Sequence, residues 1–118
     1  MDDKQNPTAA QVKRPRARRF DFVASIELVD LESEVRLQER LTDLSLYGCG
    51  IAAAKPFPAG TRVQLGITYN GARFAAIGRV AYAKSGEMGI AFVRIDKDDQ
   101  LVLERWIAEF RARPERYR

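Results

Sequence analysis

Short runs of alternating apolar and polar residues, separated by gaps of turn length, constrain this chain more than any other feature. In residues 20–29 every second residue from Phe20 to Leu28 is apolar, which is the period of a half-buried β-strand. Further strand-like segments, some alternating and some rich in small or β-branched residues, are predicted over residues 35–41, 48–54, 62–68, 74–83 and 88–95. The sequence therefore predicts six short strands at close spacing.

The segments between these runs have the residues and lengths of hairpin turns. Asn70-Gly71 is the strongest such signal, because a type I′ turn needs a positive φ at both central positions. Residues 30–34, 55–60 and 84–87 are predicted as further turns. Six strands joined in this way predict a mainly β fold, a small six-stranded antiparallel (split) β-barrel, in which closure of the sheet leaves few edges.

The C-terminal part of the chain changes its period from that of a strand to that of a helix. Leu103, Trp106, Ile107 and Phe110 lie at positions i, i+3, i+4 and i+7, and therefore share one helix face. Acidic residues at the start and Pro114 beyond the end delimit a helix over residues 96–113. We expect the helix to dock the Trp106 face on the barrel, and we expect residues 114–118 to form a tail.

The positive charge of the chain is concentrated at the N-terminus. The 118 residues contain 20 Lys and Arg against 16 Asp and Glu, a net charge of +4. Residues 1–19 hold six of the bases and two of the acids, so the remainder of the chain is neutral in balance. Residues 1–12 have few large apolar groups and no periodicity, which predicts a flexible, disordered arm before a single domain over residues 13–113.

The composition excludes several classes of function. The sequence has no His and a single cysteine, Cys49, so Ser–His and Cys–His nucleophile pairs, imidazole metal sites and multi-thiolate cages are ruled out. Cys49 is expected to be a small buried filler. No segment reaches the roughly 20 apolar residues of a membrane-spanning helix, and the start does not resemble a signal peptide. We expect a cytoplasmic protein that is not an enzyme and has no cofactor or metal.

The first segment that could carry chemistry is the basic run at residues 13–19, which holds five cations in seven residues. Most of them are arginines, whose planar fork binds phosphate, or the O6/N7 edge of guanine, bidentately. A solvated tail that binds anions nonspecifically is the alternative interpretation. The basic run stops where the first strand begins, which places it beside a folded surface.

The second segment is residues 43–50, which contains Asp43-x-Ser45-x-x-Gly48. One interpretation is structural, with Asp43 and Ser45 bonded to the local backbone and the glycines adopting positive φ. The other is functional, with Asp43 and Ser45 on the same face of a strand. A carboxylate there could accept from N1–H and N2–H of guanine, and Gly48 would allow close approach of a ligand to the backbone.

Taken together, Arg14-x-x-x-Arg18 and Asp43-x-Ser45-x-x-Gly48 in a small β-barrel chain resemble the PilZ domain family of bacterial cyclic di-GMP receptors. The resemblance extends from about residue 13 to 110 and includes residues 78–82 and 89–92, which are similar to the closing strands of the family. It implies that Arg14 and Arg18 clamp the phosphates and guanine edges of the ligand. It also implies that Asp43 and Ser45 face a guanine, while Gly48 shapes the turn.

Several neighbouring residues receive roles by the same resemblance. Arg19 is assigned a ligand contact in preference to Arg16. Lys13 precedes the arginine motif, where a long cation suits an intercalated pair of ligands. Pro15 restricts the residue before it to an extended backbone, which either preorganises or misplaces that arginine. Tyr82 either stacks on a guanine or is an ordinary tyrosine of a surface strand.

The function implied by the resemblance is that of a signal-transduction receptor. Binding of cyclic di-GMP would order the basic arm and create a surface for a downstream protein, whose identity the sequence does not give. One alternative is a small β-barrel that binds nucleic acid. That alternative needs cations on the barrel as well as on the arm, and the neutral balance after residue 19 disfavours it. A second alternative is a ligand-blind adaptor that uses Trp106 or the arm for protein contacts.

Overall fold

Six antiparallel strands and one helix make up the computed structural model, which describes residues 18–113. The expected arm over residues 1–12 and tail over residues 114–118 lie outside the described residues. In chain order the elements are β1 (Phe20–Asp30), β2 (Arg36–Leu44), β3 (Gly48–Ala52), β4 (Arg62–Tyr69), β5 (Ala72–Lys84), β6 (Glu87–Arg94) and α1 (Lys97–Ala112).

The strands form a closed barrel in the order β1-β2-β3-β6-β5-β4, with β1 and β4 pairing to complete it. All the pairs are antiparallel. Closure gives each strand two neighbours, so the described sheet has no long unpaired edge. The expected mainly β barrel with a C-terminal helix is therefore confirmed.

The tight turn between β4 and β5 follows the expected chemistry. Asn70 has φ 53° and Gly71 has φ 81°, the left-handed conformations that a type I′ turn requires. The turn brings Tyr69 opposite Ala72 and fixes the register of the two strands. The Asn70-Gly71 hairpin predicted from the sequence is therefore confirmed.

Strand β2 is longer than its alternation predicts. The apolar-polar pattern ends at Leu41, whereas β2 continues to Leu44. The pairing of β2 with β3 shifts register between Leu41 and Asp43, and such an irregularity breaks the period of two. Residues beyond the shift therefore pair with β3 without showing the pattern from which the strand was predicted.

Helix α1 covers one end of the barrel with the face that its spacing predicts. Leu103, Trp106, Ile107 and Phe110 are its buried residues. The Trp106 ring centroid lies 5.8 Å from that of Phe22 on β1, in a cluster of tilted and edge-on aromatic rings. The helix face thus completes the core, whose largest fully buried side chains elsewhere are Phe74, Ile26, Leu28, Leu41, Leu44, Ile51, Leu65, Ile67, Met88 and Val63.

The N-terminal end of α1 is bonded to the barrel, and its C-terminal end is marked by an extended residue. Asp96 is the N-cap residue, but its side chain makes no capping hydrogen bond. Asp99, in the first turn, instead accepts a hydrogen bond of 2.8 Å from the backbone N–H of Ala75 on β5. At the other end Arg113 is extended, as expected of a residue that precedes proline. Asp99 therefore ties the start of the helix to the barrel.

Candidate ligand-binding site

The turn between β2 and β3 is built around the hydroxyl of Ser45. Its Oγ accepts hydrogen bonds from the backbone N–H groups of Tyr47 and Gly48, at 3.1 and 3.2 Å, and donates to the carbonyl oxygen of Gly48 at 3.3 Å. Strand β2 ends at Leu44, so Ser45 belongs to the turn and not to a strand face shared with Asp43. Ser45 is the buried polar residue of the described chain, and its hydroxyl fixes the turn.

Gly48 provides close contact between β3 and β6. A Cβ at this position would collide with the carbonyl oxygen of Ile90, a backbone atom of the adjacent strand. Gly48 does not have a positive φ, so the structural interpretation, in which the glycines of this segment adopt positive φ, does not hold at this position. The residue is needed because a neighbouring backbone leaves no room for a side chain.

Arg19 and Asp43 form an ion pair beside this turn. The Nη2 and Nε atoms of Arg19 lie 2.7 and 2.9 Å from the same carboxylate oxygen, Oδ1 of Asp43. The other oxygen, Oδ2, accepts a hydrogen bond of 3.2 Å from the hydroxyl of Thr42. A Cβ on Gly50, in the facing strand, would overlap this oxygen. The carboxylate is thus fixed at both oxygens and packed on a glycine.

An open groove of about 420 Å³ runs between this turn and the outer surfaces of β5 and β6. Two tyrosines stand in it, Tyr47 with 48% and Tyr82 with 41% of its surface exposed. Exposed aromatic faces beside a guanidinium suit a planar, anionic ligand. The lining residues are Arg19, Ser45, Tyr47, Gly48, Cys49, Ala81, Tyr82, Gly89, Ile90 and Ala91.

The ring of Tyr82 lies on the backbone of Gly89. The two residues pair across β5 and β6, and a Cβ on Gly89 would overlap the tyrosine ring. The phenol group reaches Glu87 at 3.5 Å, and the Lys84 ammonium lies 5.5 Å from the ring centroid. The glycine therefore lets the ring lie against the strand, with part of its surface in the groove.

Cys49 lies in the wall of the groove but is not a reactive group there. Its side chain is buried, and burial, with a smaller contribution from the nearby Asp43 carboxylate, raises the pKa of the thiol. Because the thiolate is the nucleophile of a cysteine, a raised pKa makes the group unreactive at neutral pH. The structure agrees with the expected role of Cys49 as a filler.

The structure brings together four of the seven residues assigned from the sequence. Arg19, Ser45 and Gly48 line the groove, and Asp43 is bound to Arg19. The guanidinium of Arg18 instead lies 4.7 Å above the ring centroid of Phe20, the stacking geometry of a cation–π contact. The remaining two, Lys13 and Arg14, together with Pro15 and Arg16, lie outside the described residues.

Several residues of the site were not assigned from the sequence. Tyr47 lies inside the Asp43-x-Ser45-x-x-Gly48 segment. An aromatic residue between a serine and a glycine of a predicted turn is the sequence signal that points to it. Thr42 and Gly50 act on Asp43, from the preceding position and from the facing strand. The role of Gly50 has no local signal, because it depends on which residue β3 places opposite Asp43.

Residues 18–113 have neither a metal-binding cluster nor a membrane-spanning helix. No group of three or more His, Cys, Asp or Glu side chains in this part of the chain could hold a metal ion. Within the same residues, α1 is not long and apolar enough to cross a membrane.

A family model described as "PilZ domain" matches residues 13–109 of this chain. The match covers the barrel, most of α1 and the arginine segment that precedes β1. No curated protein matches the sequence.

Solved structures of similar fold include the PilZ domain of CeSA from a cellulose-synthesizing bacterium, with a TM-score of 0.66 and 13% identity over 80% of this chain and 99% of that one. The PilZ domain of Escherichia coli YcgR with c-di-GMP has a TM-score of 0.69 and 20% identity over 84% and 92% of the two chains. The inhibitor of motility MotI (DgrA) of Bacillus subtilis has a TM-score of 0.68 and 16% identity over 86% of this chain, which spans 54% of MotI. At these identities the likeness shows the fold.

Proposed function

The chain belongs to the PilZ domain family, and we propose from this that it is a receptor for cyclic di-GMP. The observation that carries the proposal is the convergence of Arg19, the Ser45–Gly48 turn and two exposed tyrosines on one open groove. YcgR, which shares the fold, was solved with c-di-GMP.

The groove offers a guanidinium and exposed aromatic faces, both of which support this proposal. Cyclic di-GMP is a dianion with two flat guanines, so it needs cations and surfaces on which a base can stack. Charge-assisted hydrogen bonds contribute about 1.5–3 kcal/mol each, and micromolar affinity needs about 8 kcal/mol in total. Several such bonds must therefore form together, since part of their free energy offsets the cost of ordering the ligand and the protein.

We assign the cations Arg14 and Arg18 to the same ligand. Arg14 and Arg18 clamp the phosphates and guanine edges, and for Arg18 this means leaving its contact with Phe20. Ser45 and Gly48 contribute through the shape of the turn, because the Ser45 hydroxyl is already bonded to it. Tyr82 offers a face for a guanine to stack on.

We propose that signalling uses the arginine segment, which directly precedes β1 in the sequence. Closure of residues 13–19 over the groove presents a new surface to a downstream protein, and this is the output that we propose. Lys13, before the arginine motif, favours an intercalated pair of ligands. The protein itself performs no catalysis in this scheme, and it acts in the bacterial cytoplasm.

Isothermal titration calorimetry tests the proposal. We expect saturable binding of cyclic di-GMP at micromolar concentration, with GMP and cyclic AMP at least tenfold weaker. Arg14→Ala and Arg18→Ala should each lower the affinity by roughly tenfold or more, as expected for a lost charge-assisted contact. The stoichiometry of the same titration distinguishes one bound ligand from two.

Arg105→Gln is a matched control, because Arg105 is an exposed arginine of α1 and does not line the groove. It should bind like the unchanged protein. A folded sample that gives no binding heat with cyclic di-GMP at several temperatures contradicts the proposal. Salt-sensitive binding to generic single-stranded nucleic acid, without binding of cyclic di-GMP, would support the nucleic-acid alternative instead.

A further inference from the structure

The ion pair between Arg19 and Asp43 uses one edge of the guanidinium and leaves another free. Nε–H and one Nη2–H of Arg19 both point to Oδ1 of Asp43, at 2.9 and 2.7 Å. A guanidinium has five N–H donors in a fixed planar arrangement. Three donors therefore remain, including the parallel Nη1–H and Nη2–H of the end-on edge, for which the described residues provide no acceptor.

The same pair restricts what Asp43 can accept. To read the N1–H and N2–H of a guanine, a carboxylate must offer one oxygen to each donor. Oδ1 already receives two donors from Arg19, and Oδ2 receives the Thr42 hydroxyl. Asp43 therefore cannot take a guanine edge in this geometry unless the ion pair breaks.

The surroundings hold the carboxylate in that geometry. Asp43 is only about a quarter exposed, whereas half of the Arg19 side chain is exposed. Oδ2 packs against Gly50, where any side chain would displace it. The acid is thus the fixed member of the pair, and Arg19 is the member that reaches into the groove.

We infer that Asp43 is a positioning residue, which holds Arg19 so that its end-on edge reads the O6 and N7 atoms of a guanine. This inference rests on the proposed function and revises the role that the family resemblance gives Asp43. An arginine fork matches the O6/N7 edge bidentately and does not match adenine, which presents a donor at N6. Arg19, outside the Arg14-x-x-x-Arg18 motif, thereby selects the base.

Analogues of the ligand distinguish the two modes of reading. Cyclic di-IMP lacks the 2-amino group of guanine but keeps O6 and N7, so its affinity should stay within about threefold of that of cyclic di-GMP. The 7-deazaguanine analogue loses N7 and should bind roughly tenfold or more weakly. The opposite ranking, with the inosine analogue weakened and the 7-deaza analogue unchanged, would show that Asp43 reads the guanine directly.

Variants of Arg19 and Asp43 test whether this pair causes the discrimination against the 7-deaza analogue. In Arg19→Met the 7-deaza analogue and cyclic di-GMP should bind equally, because the reader of N7 has been removed. Asp43→Ala should reduce the discrimination, and Asp43→Asn should largely restore it, because the amide oxygen can still accept from Nε–H and Nη2–H. If Asp43→Asn is as defective as Asp43→Ala, the positioning role is wrong.

A measurement without ligand separates this inference from the proposed function. In an NMR spectrum of the free protein, the Nε–H of Arg19 should give a signal that exchanges slowly with water, and Asp43→Ala should abolish it while Asp43→Asn preserves it. A fast-exchanging Nε–H in the unchanged protein would show that the Arg19–Asp43 ion pair does not persist in solution, and would overturn the positioning role. A slow Nε–H together with no cyclic di-GMP binding overturns the proposed function, and the guanine-reading role with it.

Discussion

At the scale of single residues, two glycines of β3 are required for different reasons. Gly48 faces the carbonyl oxygen of Ile90, which is part of the β6 backbone and cannot move alone. Gly50 faces the carboxylate of Asp43, which is the end of a side chain, so an added methyl group would displace the carboxylate without moving a backbone. The same substitution should therefore have different consequences at the two positions.

Gly48→Ala should destabilise the protein by about 1–3 kcal/mol, the usual cost of forcing an extra group into a packed site. In a domain of this size each kcal/mol lowers the melting temperature by about 4–8 °C. Gly50→Ala is the matched control and should cost less stability, while reducing the discrimination against the 7-deaza ligand. A thermal unfolding scan in which Gly50→Ala melts lower than Gly48→Ala would contradict this explanation.

At the scale of elements, α1 is attached to the barrel through one apolar face and one polar contact. Trp106 lies among Phe22, Tyr69 and Phe74, with ring centroids 5.7–6.4 Å away. The polar contact is the bond from Ala75 N–H to Asp99. Because the face also completes the barrel core, removal of its largest side chain should affect the whole fold.

Trp106→Ala should destabilise the protein by about 3–5 kcal/mol, as is typical when a large buried aromatic is removed. Leu101→Ala, on the exposed side of the same helix with 55% of its surface accessible, should change stability by less than about 0.5 kcal/mol. Because Trp106 is the single tryptophan, the variant has no tryptophan fluorescence, and its unfolding in urea should be followed by circular dichroism. Equal losses for both variants would mean that α1 does not dock as described.

At the scale of the whole molecule, the excess positive charge lies in the sequence before the first strand of the described barrel. The buried core begins at Phe20 and ends at Phe110, and the barrel closes through β1 and β4. Residues 1–19 carry the excess positive charge. Stability should therefore depend on residues 20–110, whereas ligand affinity should depend both on the groove and on the basic segment before β1.

A chain shortened to begin at Arg18 should keep the stability of the full chain to within about 1 kcal/mol, because no residue of the described core is removed. It should also lose most of its affinity for cyclic di-GMP, since Lys13 and Arg14 are gone. Thermal unfolding and calorimetry on the same sample measure the two effects. If the shortened chain binds as tightly as the full one, Lys13 and Arg14 do not contribute to the proposed site.

Much of the fold could be predicted because its signals are local. The alternation from Phe20 to Leu28 and the helical spacing of Trp106 with its neighbours each report which side of an element is buried. Asn70-Gly71 fixes a hairpin by its own backbone preference. The boundaries of β2 were less predictable, because the register shift near Asp43 interrupts the period of two.

The grouping of the candidate site residues could be predicted in part, whereas their role in binding stays a prediction. The sequence placed Arg19, Asp43, Ser45 and Gly48 in one candidate site, and the structure brings them to one region of the surface. The contacts each makes there could not be read from spacing. Ser45 is occupied by its own turn, and Gly48 accommodates a carbonyl oxygen of another strand.

The sequence by itself determined the elements and their buried faces, since periodicity and turn chemistry act between residues close along the chain. Only the tertiary structure decided that Arg19 meets Asp43 across 24 positions, that Gly48 lies against Ile90, and that Tyr82 rests on Gly89. Those contacts depend on strand order and register after the barrel has closed. The geometry that makes Asp43 a support for Arg19 is therefore a property of the closed barrel and not of either motif alone.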